Sequence, residues 1–472
     1  MLYLRPTTAA GRNIFWRGAR QASIPWRRGL LTLAIETSCD DTSVAVVHKT
    51  KSGSANIHFL ENITCDLTAY QGIHPIPALE SHQENLAKLV NKALSHLPFA
   101  PDSENDIKKL VALPDGNRQK PDFISVTRGP GMRANLFVGL DTAKGLSVAW
   151  QIPFIGVHHM QAHLLTPRLV SALSVSEPNS TVTPDFPFLS ILASGGHTLL
   201  VTSSSLTDHS ILATTTDVAL GEALDKAARQ ILPPSLLQSS KNTMYGKLLE
   251  QYAFPNGPAD YVDYTAPRTR GEEIATSKKE SLYGWSITTP YAQTRHLAFS
   301  FALIAPVVGQ ILAKKRDAEE ILSDDERVAL AREAMRVSFE HLASRTIIAL
   351  ESLCEWKPKP NHKPIPETVP VKTLVVSGGV AANKFLMTVL RSFLDVRGFG
   401  HVGIVAPPAA LCTDNAAMIG WAGIEMFEKG WRSDFSVRAL RKWSLERDSE
   451  SEGEGDEEGR GILGAGGWVS RD

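Results

Sequence analysis

Gln151-Ile-Pro-Phe-Ile-Gly-Val157 leads directly into His158-His159-Met160-Gln161-Ala162-His163-Leu164-Leu165, and the join between these two runs decides how the rest of the chain is read. The first run is apolar and bounded by polar neighbours, the pattern of a short buried strand; the second is the helix that strand feeds. On such a helix His159 and His163 stand at i and i+4. Their imidazoles then project from one face a single turn apart, which suits two-point capture of a metal ion. No Glu follows the first histidine, so the H-E-x-x-H of zinc proteases is absent. A hard third ligand is available in Asp414, within Cys412-Thr413-Asp414-Asn415 at the opening of an Ala/Gly-rich helix. Two imidazoles and one carboxylate leave coordination positions open, as a catalytic metal requires.

The alternation of strand, small-residue turn and helix recurs on both sides of this join. Upstream, residues 31–35 and 44–47 bracket Glu36-Thr-Ser-Cys-Asp40-Asp41-Thr-Ser. That pattern predicts a β-hairpin whose tip carries hydroxyls, backbone N–H groups and paired acids. Asp40 and Asp41 could there hold a metal-bound water, take a proton, or simply turn the chain. Residues 123–126 read as a strand running into Thr127-Arg128-Gly129-Pro130-Gly131-Met132-Arg133 and a helix over 136–150. This layout sets backbone N–H groups and two arginines beside an anion.

Downstream, a strand over 188–193 ends in Ser194-Gly195-Gly196-His197-Thr198, and another over 373–377 ends in Gly378-Gly379 before Asn383 opens a helix. Glycine pairs at strand ends let a ligand lie against bare backbone. Glu222 and Asp225, at i and i+3 of one helix, share a face and can accept hydrogen bonds from a ribose. The fold expected is α/β, in two related halves that close on a nucleotide at loops off their strand ends.

Composition sets the frame for this reading. Hydrophobic residues at 43% and charged residues at 21% belong to a globular chain, and no apolar run reaches the roughly 18 residues of a membrane span, so no membrane insertion is expected. The near-zero net charge of -1 conceals opposed ends. Residues 1–28 hold Arg5, Arg12, Arg17, Arg20, Arg27 and Arg28 and no acid, with Ser, Thr, Ala and Trp among them: the composition of a mitochondrial transit peptide. The stretch from Glu446 to Glu458 is dominated by Asp, Glu, Gly and Ser and reads as a solvated acidic tail over 444–472. Cys39, Cys65, Cys354 and Cys412 form no C-x-x-C pair and are expected as free thiols. Residues 101–121, 171–186 and 255–290 are polar and rich in turn-forming residues, and read as surface insertions.

Taken together the motifs resemble the tRNA N6-adenosine threonylcarbamoyltransferase family, within the superfamily of actin, sugar kinases and Hsp70-type ATPases. The resemblance is carried by Glu36-Thr-Ser-Cys-Asp-Asp-Thr42, Gly72-Ile-His-Pro75, Thr127-Arg-Gly-Pro-Gly-Met132, Val157-His-His-Met-x-x-His-Leu-Leu165, Ser194-Gly-Gly-His-Thr198, Gly221-Glu-Ala-x-Asp-Lys226, Ser377-Gly-Gly-Val-x-x-Asn383 and Cys412-Thr-Asp-Asn415, in the family's order. With the basic leader, the chain is similar to the family's mitochondrial type.

The resemblance implies two actin-like (ASKHA) lobes with the active site in the cleft between them: an N-terminal lobe over 31–160 and a C-terminal lobe over 161–443. It implies transfer of a threonylcarbamoyl group from threonylcarbamoyl-AMP to N6 of adenosine 37 in mitochondrial tRNAs reading codons that begin with A. It further implies one divalent metal ion per subunit (zinc, iron or magnesium) on His159, His163 and Asp414. Nucleotide contacts would come from Ser194, Gly195, Gly196, Asp225, Gly246 and Asn383, with Asp40 or Asp41 as base, in a homodimer of the mitochondrial matrix. Two segments depart from the family: Asn242-Thr-Met-Tyr-Gly246 replaces Tyr-Pro-Gly-Gly, and Phe299-Ser-Phe-Ala-Leu-Ile-Ala-Pro306 replaces Phe-Ser-Phe-Ser-Gly-Leu-Lys-Thr. The competing readings are a metal-dependent peptidase and an ATP-binding actin-like scaffold without transferase activity.

Overall fold

The computed structural model describes residues 29–67, 74–101, 106–175, 181–239, 245–277, 279–355, 371–447 and 460–470. The basic leader, apart from Gly29 and Leu30, lies outside these residues, as do Gly72-Ile73, Asn242-Thr-Met and most of the acidic stretch after Arg447.

Ten strands build two main sheets of the same plan. β1 (Leu30–Glu36), β2 (Asp41–Lys49) and β3 (Ala55–Thr64) form an antiparallel meander, and β4 (Phe123–Gly129) and β5 (Phe154–His158) extend it in parallel, giving the order β3-β2-β1-β4-β5. β6 (Phe188–Ala193), β7 (Thr198–Ser205) and β8 (Asp208–Thr214) repeat the meander, and β9 (Thr373–Ser377) and β10 (Gly403–Val405) the parallel extension, in the order β8-β7-β6-β9-β10. The repeat is that of two actin-like lobes. A parallel neighbour needs a crossover, and helices fill the connections between and after these strands. They include α1 (Pro75–Leu94), α2 (Arg133–Trp150), α3 (His159–Ser174), α4 (Leu220–Ile231), α5 (Gly246–Ala253), α6 (Ile304–Asp317), α7 (Asp324–Glu355), α8 (Lys384–Val396) and α9 (Ala416–Glu428).

Alternation along β1 sorts the core. Leu31, Leu33 and Ile35 face Leu86, Leu89, Leu136 and Leu140 of α1 and α2, whereas Leu30 and Ala34 face Ala162, Leu165, Leu169 and the fully buried α9. In the second lobe Leu189, Ile191, Leu374 and Val376 pack under α4, α7 and α8. α3 lies between the sheets: Leu165 and Leu169 join the first core, while Met160 and Leu164 meet Leu192 and Val201 of the second. The division expected at 160/161 therefore does not follow the packing. α3 and α9 bury their apolar faces on the first sheet, although both lie beyond residue 158 in the chain.

Other expectations also change. The acidic tail expected over 444–472 is not wholly a tail, because its last described part folds back. Trp468–Ser470 pairs antiparallel with Trp431–Ser433, Trp468 Nε1 donates to the Gly156 carbonyl at 2.7 Å, and Ile462 and Ala465 are buried against Met160 and Leu164. The sequence signal was masked by the acids around it, since one Ile, one Leu and one Trp in a glycine-rich run show no periodicity. Arg128, expected beside an anion, is 1% exposed and donates instead to the carbonyls of Arg438 (3.0 Å) and Gly466 (2.6 Å), over the ring of Trp443. It binds the C-terminal chain to the sheet. Residues 255–290 are not a solvated loop, for Tyr261, Ala266, Trp285 and Ile287 insert into the second core. The stretch 101–121 forms a hairpin (Leu110–Leu113 with Gly116–Gln119) whose Arg118 reaches the Leu97 carbonyl at 3.1 Å. Cys39, Cys65 and Cys412 are free, as expected.

If the folded-back segment belongs to the core, Ile462→Ala will lower unfolding free energy in denaturant by roughly 2–5 kcal/mol, the range for truncating a buried branched side chain. A solvated tail would give no measurable change.

Candidate active site

The histidine helix starts where β5 ends. His158 caps α3, its Nδ1 accepting from the Gln161 N–H at 3.4 Å while Nε2 lies 3.1 Å from the Trp443 carbonyl. Burial pulls its imidazole down to about 3, so it stays neutral. His159 and His163 follow in the first turns with ring centroids 4.8 Å apart, nearly perpendicular. Asp414 is brought in from 250 residues downstream by the first sheet. Asn62 Nδ2 donates to the Asp414 carbonyl at 3.0 Å, Ser43 Oγ takes the Ala416 N–H at 2.8 Å, and Asn415 caps α9 by accepting from Met418 N–H at 3.1 Å.

The three side chains converge. His163 Nε2 lies 3.0 Å and His159 Nε2 3.5 Å from the same Asp414 Oδ1, and one ligand atom of each residue lies within 4.8 Å of the others. Two nitrogens and one hard oxygen at this spacing fit a divalent cation of the zinc or iron kind. Behind His159 sits Glu36, fully buried, with Oε2 3.2 Å from His159 Nδ1. Burial opposes charge on His159, yet Asp414 and Glu36 together hold its imidazole well above the usual range. Burial likewise works against the Asp414 carboxylate, but the two histidines keep it well below its ordinary value. The site thus concentrates negative charge where a cation would neutralise it.

Asp40 and Asp41 are not part of this triad. Asp41 opens β2 and accepts from the Thr64 hydroxyl. Burial pushes its carboxyl up to about 6, the Thr64 bond opposing, and Asp40, Asp414 and Glu36 add to the rise.

On the second lobe the Ser194 turn is closed by Ser194 N–H donating to the His197 carbonyl at 2.8 Å, and Ser194 Oγ accepts from the N–H groups of Gly196 and His197. A Cβ at Gly195, Gly196 or Gly379 would meet nothing within 4 Å, so the backbone there borders open space. At Gly378 (φ +93°) a Cβ would sit 2.3 Å from the Ala193 carbonyl; only glycine lets β9 end against β6 in this way. Gly221 N–H donates to the Ser194 carbonyl, bringing α4 up to the turn. One turn further along α4, Asp225 accepts from the Gly246 N–H at 2.7 Å, and burial raises it to about 6. Asn383 is buried, with Oδ1 capping α8 on Leu386 N–H at 3.0 Å and Nδ2 donating to Met335 Sδ at 3.9 Å.

Two residues escaped the sequence reading. Glu36 is a lone carboxylate closing an otherwise apolar strand, a signal that was present and passed over. His197 follows the second glycine pair. Burial lowers its imidazole, His159 and His163 push the same way, and Asp414 opposes, so the turn of the second lobe lies in the electrostatic reach of the triad.

The family profile of TsaD, tRNA N6-adenosine threonylcarbamoyltransferase, matches residues 58–421. The chain belongs to that family. The mitochondrial tRNA N6-adenosine threonylcarbamoyltransferase of Schizosaccharomyces pombe is 36% identical over 430 residues, covering 89% of this chain and 87% of the relative. The enzyme of Bartonella henselae is 32% identical over 88% of this chain and 96% of its own length. Among solved structures, HypF of T. kodakarensis (TM-score 0.38, 14% identity, 86% of this chain and 49% of that one) and EutJ of Carboxydothermus hydrogenoformans (TM-score 0.33, 10% identity, 84% and 89%) show a distant likeness.

His163→Ala and Asp414→Ala proteins are expected to elute with far less than one equivalent of bound metal by elemental analysis, against stoichiometric metal in the wild type. Equal metal content in all three would separate the triad from metal binding.

Proposed function

We propose that this chain transfers the threonylcarbamoyl group of threonylcarbamoyl-AMP to N6 of adenosine 37 in mitochondrial tRNAs that read codons beginning with A. The observation that carries the reading is the convergence of His159, His163 and Asp414, whose ligand atoms lie within 4.8 Å of one another. His159, His163 and Asp414 would hold one divalent ion per subunit (zinc, iron or magnesium), which when bound supplies a Lewis acid and a template for an acyl phosphate.

The chain's own groups account for the remaining work. The backbone of Ser194, Gly195 and Gly196 leaves space for the adenylate. Asp225 and Gly246, already joined by a hydrogen bond, together with Asn383, would contact the nucleoside. The adenosine amine attacks the carbamoyl carbon, the bond from that carbon to the phosphate oxygen breaks, and AMP leaves with the electron pair. Asp41 or Asp40 takes the proton the amine must lose, and a carboxyl poised near 6 is ionised at neutral pH while still basic enough to accept it.

The peptidase reading lacks the Glu that follows the first His in H-E-x-x-H, since Met160 stands there. Glu36, the acid bonded to His159, is fully buried behind the imidazole and has no access to an attacking water. Among the described residues no helix is long and apolar enough to cross a membrane. The arginine-rich, acid-free leader supports import into the mitochondrial matrix, and the family's mitochondrial type supports a homodimer, for which native mass measurement should give twice 51.4 kDa less the leader.

Purified protein given threonylcarbamoyl-AMP and unmodified tRNA should yield the modified nucleoside by mass spectrometry, and His159→Ala/His163→Ala should yield none. Product from the double variant at the wild-type rate would defeat the proposal. ATP turnover without product would point instead to the scaffold.

Activity should climb as Asp41 ionises, rising through about pH 6 and levelling above it. Asp41→Asn should lose about 10²–10⁴-fold in rate and this limb of the profile; full activity in Asp41→Asn would transfer the role to Asp40.

A further inference from the structure

Glu36 closes β1, the central strand of the first sheet, and is held there from three directions. The Ser38 N–H donates to Oε1 at 2.5 Å, while the Thr127 hydroxyl and His159 Nδ1 (3.2 Å) approach Oε2. Thr127 is delivered by β4, whose parallel register sets Val126 beside Ile35. The side chain is fully buried, so neither its rotamer nor its position is free. An ionised carboxylate can only accept, and it therefore requires a proton on His159 Nδ1. Once Nε2 gives up its own proton in favour of a cation, its lone pair points from the opposite side of the ring, where Asp414 Oδ1 lies at 3.5 Å and His163 completes the group.

His163 lacks a carboxylate behind it. Among the described residues its buried Nδ1 has no hydrogen-bond partner, and its ring is held by Asp414 and by edge-on contact with His159. The two histidines are thus unequal: one is preset by the sheet, the other adapts.

We propose that Glu36 is a positioning residue for the metal centre, fixing the Nδ1-protonated tautomer and the orientation of His159 so that Nε2 is ready to bind a cation. This inference rests on the metal-binding reading of His159, His163 and Asp414. A carboxylate behind a ligating imidazole sets tautomer and ring orientation and raises ligand basicity, and removing such a partner weakens metal affinity by about 10–100-fold. Ser38 Oγ also lies 3.2 Å from His159 Nδ1, but a hydroxyl can donate as readily as accept and does not by itself select a tautomer.

The test titrates zinc alone, against a chromophoric chelator, into metal-free wild type, Glu36→Gln and Ser38→Ala. Glu36→Gln is close to isosteric, and its amide can present either an acceptor or a donor to the ring. It is expected to bind zinc about 10–100-fold more weakly, with AMP affinity and the melting temperature of the metal-free protein near wild type; Ser38→Ala is expected to keep wild-type zinc affinity. Wild-type affinity in Glu36→Gln overturns the proposal. So does a loss in Ser38→Ala as large as that in Glu36→Gln. Should Glu36→Gln fail to fold, nitrogen-15 NMR of histidine-labelled, zinc-loaded wild type reads the tautomer directly, with His159 assigned through His159→Asn. A proton on Nε2 of His159 would then reject it. Absence of zinc binding in the wild type itself is a separate result, removing the metal reading and this inference together.

Discussion

Everything in the site depends on one helix being wedged between two sheets. α3 gives Leu165 and Leu169 to the first core and Met160 and Leu164 to a separate cluster with Leu192 and Val201 of the second sheet, and its histidines stand in the same two turns. A helix buried on both flanks is fixed in rotation as well as position, so His159 and His163 cannot turn away without opening a core. The same packing explains why the carboxylate partner comes from so far along the chain. α9 returns to lie against the first sheet, and the loop that opens it carries Asp414 to the histidines, anchored through Asn62 and Ser43. The convergence of the three side chains is a by-product of closing that core.

The second constraint is electrostatic. Glu36, Asp41 and Asp414 are drawn into a site largely removed from water, where isolated charge is strongly disfavoured. Protonation of His159 answers part of that imbalance and the lifted Asp41 another part. A site whose charge is balanced in this manner is poised for a cation, and its groups can exchange protons near neutral pH. The second lobe presents mostly backbone to open space: glycine pairs at strand ends and a serine turn. One lobe carries the charge and the other the shape.

Much of this was legible in the chain. Period-two and period-3.6 patterns located most of the main strands and helices, and the i, i+4 histidines, the paired glycines and Asp414 were visible as motifs. What the sequence hid was of two kinds. Residues such as Arg128 and Glu36 look like surface or turn charges by type, and only the sheet register shows them buried and bonded. Segments such as 255–290 and 460–470 place isolated aromatics and aliphatics in polar runs, and each anchor contributes to a core without any repeat to betray it. Nor does chain order record that α3 and α9 pack on the first sheet.

The chain on either side of the acidic stretch is stitched to itself. Ser444 N–H donates to the Arg460 carbonyl at 3.1 Å and Ile462 N–H to the Glu446 carbonyl at 2.8 Å, so residues 447 and 460 leave and re-enter the fold at one place. Whatever lies between them spans almost no distance. Lengthening such a closed excursion costs only slowly, as the logarithm of its length, whereas Ile462 and Ala465 just beyond it seal Met160 and Leu164. The seating of the histidine helix thus depends on residues reached only after an acidic run that looks expendable.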